Sequence, residues 1–172
     1  MKTCSENFVI RAATAEDMPA VASMVQELAD FQNMSSGPTL TFKDLQRDGF
    51  ESQWPAFRCV IAEDIKTRVP VGYATYFPTY STFEGRSVMV NNFYVKKSHR
   101  RRGIGRKLFQ KIVSEALSSG CRRVDFHVLA WNEARAFYEA LGAQNMTDSH
   151  GALCYQLTGD ALIANARQAN FA

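Results

Sequence analysis

Residues 87–118 change chemistry twice in a way that one local architecture accommodates. The run SVMVNNFYV (87–95) is rich in β-branched and aromatic residues and reads as a strand. Ile104, Leu108, Ile112, Val113 and Leu117 then recur at helical spacing up to Gly120. Between them lies VKKSHRRRGIGRK, in which seven Lys and Arg fall in the twelve positions from Lys96 to Lys107, with no acidic residue. The unit is strand, turn, helix, and Gly103 and Gly105 stand where the turn becomes the helix. Glycine there lets backbone N–H groups approach a ligand with no Cβ in the way. The first N–H groups of a helix have no intrahelical partner and lie at the positive end of its dipole. Such a start suits an anion, phosphate foremost. The segment lacks the GxxxxGK[ST] of nucleotide-hydrolysing loops and the GxGxxG of dinucleotide folds. A GxG alone also fits an exposed basic turn.

Charge narrows the choice. The chain has 172 residues and a net charge of +3. Of its 20 Lys and Arg, seven sit in this turn, leaving 13 against 17 Asp and Glu elsewhere, a balance of −4. A nucleic-acid binder more often spreads basic charge over a face, whereas a single focus suits a compact anionic ligand. The expected partners therefore include no nucleic acid and no membrane. No apolar run approaches the roughly 18 residues of a membrane helix, and the start, MKTCSENFVIRAAT, has no signal-peptide stretch. Cys4, Cys59, Cys121 and Cys154 are scattered without a CxxC pair, which points to reduced thiols, no metal and a cytoplasmic protein. At 46% apolar and 22% charged, residues 1–172 read as one globular domain.

The rest of the chain supplies a sheet. FVIRAAT reads as a strand, and Thr14 caps a helix with Glu16 and Asp17 in its first turn. Met18, Val21, Val25 and Leu28 follow at helical spacing. NMSSGPT is a loop, and TFKDLQRDGF a second short helix. AFRCVIAED and VPVGYATYFPTY are strands joined by the turn DIKTR, and YSTFEGRS turns into SVMVNNFYV. After the basic turn and its helix come strand RRVDFHVLA, helix NEARAFYEALG, strand ALCYQLT and a helical tail. The order βααβββαβαβ predicts an α/β fold with a mixed sheet and helices on both faces.

Arg100-x-x-Gly103-x-Gly105, followed by WNEARAFYEALGA, resembles the acyl-CoA site of the GNAT superfamily of N-acetyltransferases. FVIRAAT-AED, KDLQRDGF, VGYATYF-TYSTFEGR and GAQNMTDSHG are most similar to its diamine and thialysine (spermidine/spermine) branch. The resemblance implies a mixed, mostly antiparallel central sheet whose fourth and fifth strands splay apart. It also implies acetyl-CoA as cosubstrate. The pyrophosphate would lie on Arg101, Arg102, Gly103, Ile104, Gly105 and Arg106, with Arg100 beside them. The pantetheine arm would pair with Phe93, Tyr94 and Val95, and Asn132, Glu133 and Tyr138 would complete the cofactor site. A homodimer follows from the same branch.

Acetyl transfer to an amine needs a deprotonated amine, a polarised thioester carbonyl and a proton for the leaving thiolate. The resemblance makes Tyr138 the acid, although Asn132 to Tyr138 is six positions where the family commonly has seven. On the substrate side, family carboxylates are replaced by Asn91, Asn92, Gln32 and His150, and a Tyr by Phe31. Amides hydrogen-bond an amine but do not neutralise several charges, which favours a small primary amine over a long polycation. His127 is the candidate base, with Asp125 on the same strand face to tune it, and both join the substrate-side residues. Two other functions fit the residues: a protein or peptide N-acetyltransferase, which the loop QNMSSGPTLT disfavours by covering the cleft, and a catalytically silent acyl-CoA or nucleic-acid binding module.

Overall fold

β1 (Phe8–Ala12), β2 (Arg58–Asp64), β3 (Pro70–Ser81), β4 (Gly85–Val95) and β5 (Arg123–Phe126) form one sheet in the order β1-β2-β3-β4-β5. The first three pairings are antiparallel, and β4 and β5 run parallel. The computed structural model describes residues 7–168, so Cys4 lies outside the described part. The chain forms two compact units, one ending at His127 and one beginning at Val128. The sheet belongs to the first, with α1 (Met18–Phe31), α2 (Phe42–Gln46) and α3 (Ile104–Ser118).

Alternation along the strands puts a helix on each face. On β2, Val60 and Ala62 join the apolar cluster that contains Ile104, Leu108, Ile112 and Ala116 of α3. Cys59 and Ile61 join Met18, Val21 and Met24 of α1 on the other face. The buried stripe of α3 follows strict fourfold spacing, so Val113 and Leu117, which the periodicity placed in it, are exposed, Leu117 at 73%. Close approach of α3 depends on Gly72. A Cβ there would lie 3.1 Å from the Tyr94 carbonyl oxygen and 3.3 Å from Leu108 Cδ1.

Local chemistry sets the element ends. Asp17 Oδ2 accepts from the Thr14 backbone N–H at 2.8 Å, and the Asp17 N–H returns to the Thr14 carbonyl. On α2 the Thr41 N–H donates to Asp44 Oδ2 at 2.8 Å, and the Asp44 N–H donates to the Thr41 hydroxyl oxygen at 3.4 Å. In the predicted DIKTR turn, Asp64 Oδ1 accepts from the N–H groups of Lys66 and Thr67 at 2.9 Å each.

The second unit carries α4 (Ala134–Glu139), α5 (Met146–His150) and α6 (Gly159–Gln168). α6 matches the expected helical tail. The expected strand ALCYQLT does not form, because residues 151–158 are irregular and exposed. A strand exists only when a neighbour takes its backbone groups, and no described residue pairs with this one. The expected strand RRVDFHVLA is likewise confined to Arg123–Phe126. The NEARAFYEALG helix ends at Glu139, with Gly142 at φ +92° and the Ala143 N–H on the Tyr138 carbonyl.

Candidate active site

β4 changes face at one residue. Thr75 pairs with Asn92 but Tyr76 pairs with Val90, so Asn91 is an extra residue in the ladder, a β-bulge. Before it, Val88 and Val90 face α3. After it, Phe93 and Val95 do, while Tyr94 joins the α1 cluster. The parallel pairing with β5 also stops here, its last pair being Val90 with Phe126. From Asn91 to Val95 no described strand pairs with β4 on the β5 side. The Phe109 ring of α3 sits edge-on to Phe93 at 6.2 Å and to Phe126 at 5.7 Å, packed against both strands where they part. This is the predicted splay of the fourth and fifth strands.

The basic turn follows directly. Arg101 has φ +62° and Gly103 φ +81°, both left-handed. Gly103 is the N-cap of α3 and offers no side-chain cap, so the N–H groups of Ile104, Gly105 and Arg106 have no intrahelical acceptor. A Cβ on Gly105 would touch only Phe93, at 3.7 Å, and one on Gly103 nothing within 4 Å. The start of α3 is open to solvent and lined by the exposed Arg101, Arg102 and Arg106. Arg101 and Arg106 make no ion pair with any described residue. Arg102 is tied through Nη2 to the Ser98 carbonyl at 3.1 Å. Arg100 donates from Nε to the Val95 carbonyl at 2.9 Å, and its guanidinium lies 5.4 Å from the ring centres of both Phe31 and Tyr94. A strand segment from Asn91 to Val95 with no described strand on its β5 side, continuing into free N–H groups and two uncommitted guanidinium groups, fits an amide chain that ends in phosphates.

On the α1 side, the Asn92 amide donates to the Tyr73 hydroxyl at 3.4 Å, and burial pushes the Tyr73 phenol up from its ordinary value. Asn91 is exposed at the bulge, and Gln32 follows Phe31 at the end of α1. Sequence reasoning passed over Glu27. Its carboxylate accepts from the Tyr94 hydroxyl at 3.0 Å and faces Lys96 Nζ at 3.7 Å. The Asp125 carboxylate is bound by Arg123 at 3.0 Å, and His127 lies exposed just beyond the end of β5. Glu84 also pairs with Arg123.

In the second unit, Asn132 Oδ1 accepts from the Ala134 N–H at 2.9 Å and so starts α4, with Glu133 as the next residue. Tyr138 lies on α4, and burial pushes its phenol up to about 12. Its ring meets Phe137 edge-on at 5.0 Å. His150 ends α5, hydrogen-bonded to Ser149 at 2.7 Å.

Comparison with known proteins agrees with this geometry. The model of the acetyltransferase (GNAT) family matches residues 22–143. A thialysine N-epsilon-acetyltransferase of Bos taurus is 34% identical over 90% of this chain and 94% of its own length. The corresponding protein of Mus musculus is 36% identical over 89% and 94%. An integron cassette protein of V. cholerae has a TM-score of 0.76 at 20% identity, covering 95% of this chain and 99% of its own, and attests the fold. The chain therefore belongs to the GNAT acetyltransferase family, and it is an N-acetyltransferase that takes its acetyl group from acetyl-CoA.

Proposed function

We propose that the chain acetylates a primary amine of a small molecule in the diamine, polyamine-like or thialysine class, by direct attack in a ternary complex. The observation that carries this reading is the similarity to the thialysine enzymes over about nine-tenths of the chain. The amides at Asn91, Asn92 and Gln32 support a small amine with few charges over spermine, and we place the amine beside them, with His150 as a further contact.

When bound, acetyl-CoA supplies an activated acetyl thioester. Its phosphates would rest on the N–H groups of residues 101–106 with the Arg101 and Arg106 guanidinium groups, and its amide arm along Phe93, Tyr94 and Val95. The family resemblance assigns Asn132 and Glu133 to the same cofactor. His127 is exposed, and imidazole is the side chain suited to exchanging protons near neutrality, so it accepts the amine proton and passes it to water. Tyr138 holds a proton for the departing thiolate. The family match runs from residue 22 to residue 143, which supports reading residues 1–172 as a single N-acetyltransferase domain.

An assay of acetyl-CoA turnover against a panel of amines, read by thiol release, tests the reading. Thialysine and short diamines are expected to react and spermine to react worst. Acetylation of peptides but of no free amine would overturn it, and no turnover at all would leave a binding module.

We further propose a cytoplasmic homodimer. Leu153, Tyr155 and Leu157 support pairing, because they alternate along an irregular segment at 68%, 87% and 52% exposure. Three exposed apolar side chains at strand spacing suit pairing with a second copy of the segment. Light scattering at micromolar concentration should give twice the chain mass, and Tyr155→Asp should halve it. A monomeric wild type would refute the dimer.

A further inference from the structure

We infer that Phe31, which sequence comparison places on the amine side, is a positioning residue for acetyl-CoA and acts through Arg100. The inference rests on the reading that the basic turn holds the cofactor.

Five contacts carry it. The Arg100 side chain spans its own loop, from residue 100 back to the Val95 carbonyl at the end of β4, at 2.9 Å. Its guanidinium is flanked by the rings of Phe31 from α1 and Tyr94 from β4, each 5.4 Å from Cζ. The Tyr94 hydroxyl is in turn anchored to Glu27, whose other oxygen faces Lys96 Nζ at 3.7 Å. Glu27 and Phe31 are four residues apart on α1, hence on one face. The last turns of α1 thus grip the loop at Tyr94, Lys96 and Arg100.

The grip matters because Arg100 leads directly into a constrained backbone. Arg101 takes a left-handed conformation, φ +62°, which a side chain with a Cβ rarely adopts unless its surroundings enforce it. That conformation aims the N–H groups entering α3. With Arg100 clamped, the turn is organised before the ligand arrives. Without the Phe31 ring, Arg100 loses one wall of its stack, and part of the binding free energy goes into ordering the loop. An exposed guanidinium–ring contact is worth about 0.5–1 kcal/mol, which converts to roughly two- to fivefold in affinity.

Phe31 is 43% exposed, so Phe31→Leu leaves the core intact, which circular dichroism checks. The affinity for CoA is measured by calorimetry, and the Michaelis constants for acetyl-CoA and for thialysine by thiol release. Phe31→Leu should weaken CoA binding and raise the acetyl-CoA Michaelis constant about two- to fivefold. The thialysine Michaelis constant and kcat should stay within twofold, and Phe31→Tyr should restore the cofactor values. In an Arg100→Gln background, Phe31→Leu should add nothing to the loss of CoA affinity, since the guanidinium that it positions is gone. A raised thialysine Michaelis constant with unchanged CoA affinity would make Phe31 an amine contact and overturn the inference, as would additive effects with Arg100→Gln. Gly105→Glu serves as the control for the underlying reading. Its Cβ fits against Phe93, and its carboxylate opposes phosphate, so CoA affinity should fall at least tenfold. If Gly105→Glu binds CoA normally, the cofactor site itself is misplaced. If it fails to bind while Phe31→Leu binds normally, only the role of Phe31 falls.

Discussion

Tyr138→Phe should lower kcat by about 100-fold or more while the affinity for CoA stays within twofold. The substitution keeps the ring and its edge-on contact with Phe137 and removes only the proton donor. Acid–base assistance is worth about 10²–10⁴-fold, and a group that acts only in the transition state changes kcat without changing ground-state binding. Burial is what prepares the phenol. It disfavours the phenolate and pushes the group up to about 12, so the proton is in place at any working pH. A raised value means that the acid form survives alkaline conditions, and kcat should show no loss attributable to Tyr138 up to about pH 11. Stopped-flow thiol release across pH 6–11 with both proteins checks this. A variant retaining more than half of wild-type kcat would assign Tyr138 to packing and leave another donor to protonate the thiolate.

Arg11→Met should cost about 3 kcal/mol of unfolding free energy in urea. Arg11 binds Asp17 through two bonds of 2.7 and 2.9 Å and Glu63 Oε2 at 2.6 and 2.9 Å, and Arg68 closes on Glu63 Oε1 at 2.9 Å. Asp17 and Glu63 are 8% and 5% exposed. Removing the shared cation leaves carboxylates short of a partner in a poorly solvated place, an effect of about 3–5 kcal/mol. The low end applies because the Arg11 side chain is itself 35% exposed and solvent screens part of the interaction. Burial pushes the Asp17 carboxyl up, but bonds and charge from Arg11, with the Thr14 N–H, outweigh it and hold the group below its ordinary value. A lowered carboxyl contributes stability that is present above about pH 4 and lost as pH falls below it. That acid-side loss should shrink in Arg11→Met. The triple variant Arg11→Met, Asp17→Asn, Glu63→Gln should recover part of the deficit. Equal stability of Arg11→Met and wild type would show that the cluster contributes nothing net.

Much of this was legible in the residues because it is local. The strand, basic turn and helix from Ser87 to Gly120 declared themselves through β-formers, two glycines and a helical period. Thr14 with Asp17, Thr41 with Asp44, and the Asp64 turn are side chains bonding to backbone within three residues, so their pairing needs no distant partner. The bulge at Asn91 is marked in the sequence only by the polar pair Asn91-Asn92 between two apolar runs, Val88 to Val90 and Phe93 to Val95, a break in the strand's apolar character. Only the partner strand shows that the break is a bulge and not an exposed patch, because a bulge is a mismatch between two chains of hydrogen bonds.

Non-local relations were decided by the tertiary structure. Alternation placed Asp125 and His127 on one face, but only the fold shows that Asp125 and Glu84 share the Arg123 guanidinium, because their meeting depends on how β5 joins the β3–β4 hairpin. ALCYQLT has the composition of a strand and is not one here, because hydrogen bonding to a neighbour makes a strand. The role of Phe31 is of the same kind. Its position in the sequence belongs to the amine half of the family pattern, whereas its contact is with Arg100, 69 positions further along the chain. The residues by themselves determined what each segment is able to form and the anion that its turn attracts, because propensity, capping and charge act over a few residues. The folded chain decided which of those capacities meet, because pairing, stacking and burial are energies of separation in space, and the sequence records separation only along the chain.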